Sequence, residues 1–383
     1  MKIILLVILS SHLCISFSFG QGTTFTKADI EALANFIESQ QLPNGAIKFS
    51  KSPEVGGKFL VNPYFNHIAC LGLLESSNTA KCQVIKKWLA WYINHFDERG
   101  LAYNYYYNDP IDPTQDSLCL KPDSCKLIDA EDSYLALFWD LLYQYYRVSQ
   151  DKSIFTGSLD TVLQSGAKYL KDSLMQPDNL SIAKPSYAIK FLMDNSEIYK
   201  GLLSLSLIEG EIYNHGAEAD SLDTLAQRVK QSIQTKLYPG SKLYYHSLDI
   251  NGRATYVDPT KWYDSSGIVA IIWPQLFEIE TTVSPISVYQ RKALNKKFPY
   301  WTSFSYYPKM DDYTWPSIGY AFSKAGDTAN GFKHTDNINK IFVANNFDSP
   351  CTVSDAGWLI MNMAIRFPPE KKAIHKRKVV SKN

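Results

Sequence analysis

The chain has no surplus of positive charge, with 39 basic residues against 38 acidic ones. Setting aside Lys2 and the six cations after Glu370 (Lys371, Lys372, Lys376, Arg377, Lys378 and Lys382) leaves 32 basic residues facing 38 acidic ones in the body. A nucleic-acid binder needs a basic face to displace counterions from phosphates, so this balance excludes that class. The apolar run near the start is too short to span a bilayer, and no later stretch reaches the required length. There is no Gly-Lys-Ser/Thr phosphate loop, no Gly-x-Ser-x-Gly elbow, no Cys-x-x-Cys and no His-Glu-x-x-His. The seven histidines (His12, His67, His95, His215, His246, His334 and His375) show no metal-ligand spacing, and neither a metal nor an organic cofactor is implied.

What the chain does have is apolar bulk, 45% of 383 residues, with 14% aromatic. That is the composition of a folded protein. Residues 1–20 read as a secretory leader, with Lys2, an apolar run from Ile3 to Leu9, and small or polar residues up to cleavage near Gly20 or Gln21. The expected location is outside the cell or in the lumen of the secretory pathway, without a membrane span. Cys14 leaves with the leader, and Cys70, Cys82, Cys119, Cys125 and Cys351 remain. Oxidising conditions favour a bridge between Cys119 and Cys125 across a short Pro- and Asp-rich loop. Cys70, among Ile68, Leu71 and Leu73, reads as a core thiol rather than a partner of Cys82. Asn179-Leu180-Ser181 is an N-glycosylation sequon in a turn.

Helical periodicity marks twelve segments, near 27–41, 62–76, 79–96, 130–149, 157–175, 189–208, 215–237, 264–279, 284–298, 315–325, 328–345 and 354–366. Some, such as 157–175 and 215–237, carry one apolar stripe opposite Lys, Gln and Asp, as a helix with one wet face should. Others, such as Ser133 to Tyr146 and Ala356 to Ile365, are apolar almost all round. After the first hairpin the two kinds alternate. Six dry helices ringed by six wet ones satisfy the pattern with short antiparallel connections. The expectation is an all-α, single-domain toroid of six helical hairpins, (α/α)6, over residues 27–366. Short ribbons are expected at Gly45 to Phe49 and Lys242 to His246. The basic tail 367–383 follows Pro368-Pro369 and lacks periodicity, and Lys376-Arg377 offers a processing site.

Acids and aromatics collect just before the dry helices. The six lead-ins are Asn62-Pro63-Tyr64-Phe65-Asn66, Asp129-Ala130-Glu131-Asp132-Ser133-Tyr134, Asp194-Asn195-Ser196-Glu197-Ile198-Tyr199, Trp262-Tyr263-Asp264-Ser265-Ser266-Gly267, Asp311-Asp312-Tyr313-Thr314-Trp315-Pro316 and Ser354-Asp355-Ala356-Gly357-Trp358. Inner helices of such a ring run parallel, so these segments converge on one face as an acidic, aromatic-walled cleft. Asp129 with Asp132, and Asp194 with Glu197, also have capping-box spacing. Capping does not account for the doubled Asp311-Asp312 or the recurring Tyr and Trp. Trp358 and Tyr199 read as core; Trp262, Trp301 and Trp315 divide evenly between core and ligand contact.

These features resemble the six-hairpin glycosidases, and the likeness spans residues 27–366 as architecture more than as a strict motif. In inverting members resembling bacterial endoglucanases, an acidic lead-in comparable to Asp129 and Asp132 holds the sugar at the cleavage point. Those enzymes place an acid at the first inner helix, where this chain has Asn62 to Asn66. The resemblance implies hydrolysis of a polysaccharide or oligosaccharide. Two alternatives stand beside it: a secreted carbohydrate-binding protein that kept the barrel and lost catalysis, and a terpenoid cyclase, whose Asp-x-Asp-Asp motif is similar to Asp129 to Ser133. Under the hydrolase reading Asp132 is the proton donor, because Glu131 and Tyr134 adjoin it, with Glu197 in reserve. Asp264 is the water-activating base and Asp129 a positioning group, both held ionised by helix N-termini. Tyr64, Trp262, Tyr263 and Trp315 line the sugar sites, and Asp312 faces Asp132 across the ring. The partner is a carbohydrate, and the chain is expected to be a monomer.

Overall fold

The structure is a computed structural model, and it describes residues 25–53, 56–76, 78–122, 124–238, 240, 243–257, 268–303 and 314–368. The leader, Trp262, Tyr263, Asp264, Asp312 and most of the basic tail lie outside the described residues.

Twelve α-helices are present among the described residues: α1 (Lys27–Ser39), α2 (Pro63–Glu75), α3 (Lys81–Ile93), α4 (Glu131–Ser149), α5 (Gly157–Tyr169), α6 (Leu192–Ile208), α7 (Gly216–Lys236), α8 (Trp273–Leu276), α9 (Pro285–Lys297), α10 (Pro316–Lys324), α11 (Thr328–Ala344) and α12 (Val353–Arg366). Contacts run α2 to α4, α4 to α6, α6 to α8, α8 to α10, α10 to α12 and α12 back to α2, so the even-numbered helices close a ring. The odd-numbered helices pack outside it, for example α7 on α6 and α11 on α10. Burial follows the two expected patterns. In α4 nearly every residue from Glu131 to Tyr143 is buried, whereas α7 buries a single stripe, Leu222, Ala226, Val229, Ser232 and Ile233.

Small residues set how closely the inner helices approach. A Cβ on Gly201 of α6 would sit 2.5 Å from the Cα of Ala136 in α4, and one on Gly72 of α2 would sit 2.4 Å from the Cα of Gly357 in α12. Both crossings are therefore backbone against backbone, which only the missing side chain permits.

The eighth helix departs from expectation. Residues Ile268–Ile272 form a 3₁₀ turn, and only Trp273–Leu276 is α-helical. Pro274 has no N–H to give to the preceding turn, and Glu278 takes a left-handed φ of 65° that ends the segment. Two transitions between the layers loosen in another way: α5 and α6 each end in a π-helical turn, Leu170–Leu174 and Glu209–Tyr213.

Strands are short and lie on the loops: β1 (Phe59–Val61) pairs antiparallel with β2 (Tyr105–Tyr107), β3 (Cys119–Lys121) with β4 (Ser124–Cys125), and β6 (Tyr245–Leu248) lies between β5 (Lys190–Phe191) and β7 (Ala254–Tyr256). The ribbon expected at Gly45 to Phe49 is reduced to an isolated bridge between Gln41 and Ile47, and β6 overlaps the second expectation only at Tyr245 and His246, Lys242 being outside the described residues. Cys119 and Cys125 form a disulfide; Cys70 and Cys351 are buried thiols, and Cys82 is not disulfide-bonded. Among the described residues no helix is long and apolar enough to cross a membrane.

Candidate active site

Because the inner helices run parallel, their N-terminal ends meet at one end of the ring, around a cavity of about 400 Å³. Every inner helix contributes to its wall. Asn62, Tyr64, Phe65 and Ile68 come from α2 and its lead-in, Asp129, Ala130, Ser133 and Tyr134 from α4, and Met193 and Asp194 from α6. Trp273 comes from α8, Trp315, Pro316 and Ser317 from α10, and Thr352, Ser354, Asp355 and Trp358 from α12.

The local structure explains each position. Asn62 caps α2, its Oδ1 accepting from the Phe65 N–H at 3.3 Å, and Pro63 follows at the first helical position. That cap turns Tyr64 inward. Its phenol donates to Glu197 Oε1 at 2.7 Å, and the Trp273 indole donates to the same oxygen at 2.9 Å. Thr352 and Asp355 form a capping box on α12, in which Thr352 Oγ1 accepts from the Asp355 N–H at 3.2 Å and donates to Asp355 Oδ2 at 2.9 Å. Trp315, at the N-cap of α10, holds a left-handed φ of 49°, a conformation bulky residues avoid, just before Pro316.

The capping reading of Asp194 and Glu197 does not survive, because α6 begins at Leu192 and both acids lie inside it. Asp194 reaches the cavity wall, and its Oδ2 is buried without a hydrogen-bond partner. Burial, reinforced by Asp132, Glu197 and Asp129, holds its carboxyl well above the usual carboxylate range. Glu197 is 1% exposed. Burial pushes it up to about 7, against the Trp273 and Tyr64 donors that favour its ionised form. The Ser133 hydroxyl is near enough to bias both acids, yet it closes no hydrogen bond of normal geometry, and Glu197 Oε2 is left unpartnered. Asp355 is raised by burial to about 6, with Thr352 pulling the other way.

Asp132, expected as the proton donor, is fully buried and is not among the residues lining the cavity. Its Oδ1 accepts from the Ser133 N–H at 2.8 Å and its Oδ2 from the Ser181 hydroxyl at 2.5 Å. Burial and Glu197 raise its carboxyl well above the usual range. Glu131, the neighbour that singled Asp132 out, turns away to Arg99 at 3.5 Å and to the Tyr169 hydroxyl. Asp129 is exposed on the cavity wall. Trp315 lines the cavity, and so does Trp358, which sequence reasoning placed in the core. Trp301 is 1% exposed and packs on Phe322 and His334. The ring places α10 opposite α4, as the expected pairing of Asp312 with Asp132 requires, but Asp312 itself is outside the described residues.

At the other end of the ring, Asp160, Glu209 and His215 bring one ligand atom each to within 4.8 Å of one another. Sequence spacing could not show this, since Asp160 comes from α5, Glu209 opens the π-helical turn and His215 lies just beyond it. His215 Nδ1 lies 2.7 Å from Glu209 Oε2, as in an ordinary hydrogen-bonded ion pair, which raises the imidazole above its usual value.

No protein-family profile matches the chain, and no curated protein does. Solved structures do match. A rhamnosidase from Klebsiella oxytoca with rhamnose bound superposes with a TM-score of 0.57 at 12% identity, over 90% of this chain and 65% of its own. An α-amylase from Clostridium perfringens gives 0.56 at 13% identity, over 91% and 99%. An α-1,6-mannanase from Salegentibacter gives 0.51 at 11% identity, over 90% and 99%. At such identities the likeness is one of architecture, and by that measure this chain has a six-hairpin glycosidase-like fold.

Proposed function

We propose that this chain is a secreted glycoside hydrolase that cleaves an O-glycosidic bond of a polysaccharide or oligosaccharide in the cavity at the N-terminal ends of the inner helices. The supporting observation is that carboxyl groups far apart in sequence, Asp129, Asp194 and Asp355, share one cavity with the rings of Tyr64, Trp315 and Trp358. Sugars need both: carboxyl groups for proton transfer and flat apolar faces for stacking.

Asp194 is the proton donor of this reading, rather than Asp132 or Glu197, because it lines the cavity and burial keeps its proton on. Asp355 is the base. It stands on α12, across the ring from α6, and its capping partners favour the ionised form above about pH 6. Asp194 protonates the bridging oxygen as the bond to the anomeric carbon breaks. Water adds to that carbon and gives a proton to Asp355, or Asp355 attacks first and water follows. Asp132 and Glu197 act through Asp194, as acids packed so close to it that the cluster resists losing all its protons together. The test is reducing-sugar release from plant, fungal and bacterial wall polysaccharides. Release that disappears in both Asp194→Asn and Asp355→Asn supports the assignment. Loss confined to Asp264→Asn returns the base to the fourth inner helix, and no release from any substrate leaves a binding protein on this fold.

Secretion belongs to the same proposal, with residues 1–20 as leader and 27–366 as the domain, acting as a monomer. An N-terminus near Gln21 on protein recovered from the medium checks it.

A further inference from the structure

Three charged residues line the cavity among those described, and all three are acids: Asp129, Asp194 and Asp355. Asp132 and Glu197 stand just behind, 0% and 1% exposed. Glycoside cleavage employs two carboxyl groups. Five therefore exceed what the reaction needs, and among the described residues none of the five is in a salt bridge with a cation. Internal donors take both oxygens of Asp132, one of Glu197 and one of Asp355, and two buried oxygens are left over. Glu197 Oε2 and Asp194 Oδ2 are buried acceptors without partners, and Tyr64, which holds the other oxygen of Glu197, lines the cavity.

An unpartnered buried acceptor is costly, and a ligand bringing donors removes that cost. The kinds of sugar differ in what else they bring. Uronates and sulfated or phosphorylated sugars would set like charge against like, with no basic side chain in the described wall to meet them. Neutral sugars offer hydroxyl donors but no charge, so the crowded acids keep the protons that burial and their neighbours hold on them. An ammonium supplies three donors and a positive charge together, which draws the crowded acids into their ionised forms, and the faces of Tyr64, Trp315 and Trp358 attract it as well.

We infer that the cavity selects a cationic sugar, a 2-amino-2-deoxy sugar with its amine free, over the N-acetylated and neutral counterparts. The inference rests on the cavity being a sugar site.

The experiment is titration calorimetry on the full secreted chain at pH 7 and low salt. The probes are glucosamine, galactosamine and chitosan oligomers, against N-acetylglucosamine, glucose and fully N-acetylated chitin oligomers, with reducing-sugar release followed in parallel. The amino sugars should bind at least about tenfold tighter than their acetylated partners. The ratio should shrink on going to high salt, since screening weakens exposed charge pairs. It should shrink again in Asp129→Asn, an exposed position that tolerates the change, and in Asp355→Asn. Equal affinities, a preference for neutral sugars, or no binding of any amino sugar overturns the inference. Hydrolysis of neutral substrates without amino-sugar preference would refute the charge argument while leaving the hydrolase reading intact. Amino-sugar binding without release from any substrate would do the reverse.

Discussion

The phenol of Tyr64 on α2 donates 2.7 Å to Glu197 Oε1 on α6, bridging two inner helices that are separated in the ring by α4. The first inner helix has no acid of its own in its lead-in, and it instead delivers a donor to the acid of the third. Glu197 is thereby fixed behind the cavity wall, where it raises the proton affinity of Asp194.

Tyr64→Phe tests that bridge. Hydrogen bonds to a charged acceptor are worth about 1.5–3 kcal/mol and neutral ones about 1 kcal/mol. The loss of stability should therefore be larger at pH 8, where Glu197 is ionised, than at pH 5, where it is protonated. Urea unfolding at both values measures it. A loss independent of pH would mean that the phenol and the carboxylate are not coupled.

Glu197 also predicts how stability depends on pH. Its folded value, about 7, lies above the ordinary 4.5, so the folded state binds the proton more tightly. Its contribution is fully present below about pH 4.5 and is lost as pH rises through about 7, with Asp132, Asp194 and Asp355 acting in the same sense. Denaturant midpoints should fall between pH 4.5 and 7.5, and Glu197→Gln should flatten the decline. An unchanged slope in that variant contradicts the assignment.

Gly201→Val should destabilise by about 3 kcal/mol, because the added atoms meet the Ala136 backbone where even a Cβ would be 2.5 Å away. A thermal midpoint within a degree of wild type would mean that α4 and α6 can part at no cost.

Much of the fold was legible in the sequence because alternating wet and dry periodicity is a consequence of ring packing itself. The convergence of the lead-ins followed from the parallel inner helices, and Tyr64, Asp129 and Trp315 do line the cavity. Which member of each lead-in faces inward was less legible. Successive residues on a helix point about 100° apart, so Glu131 beside Asp132 says nothing about a shared environment. One faces Arg99 and the other Ser181. Asp355 stands alone in its lead-in, with no second acid beside it to mark it, although its capping box with Thr352 is a readable signal. Trp358, read as core, lines the cavity, and Trp301, divided evenly between core and ligand contact, is buried, because only the ring closure decides which face borders the cavity.

Asp132→Asn separates the buried acids from the cavity acid. Asparagine can still accept from Ser181, so the variant should fold and retain activity within about tenfold of wild type, the scale of a positioning effect of about 1.4 kcal/mol. A loss as deep as that of Asp194→Asn would return the proton donor to the second inner helix.

The most direct measurement is the rate of glycosidic cleavage by wild type, Asp194→Asn and Asp355→Asn on whichever wall polysaccharide the wild type degrades, with circular dichroism confirming that all three are folded. Removing a general acid or base costs about 10²–10⁴ in rate, so each variant should lose about a thousandfold in kcat while still binding the substrate. Full activity in either folded variant would contradict the claim that carboxyl groups from the third and sixth inner helices carry the reaction.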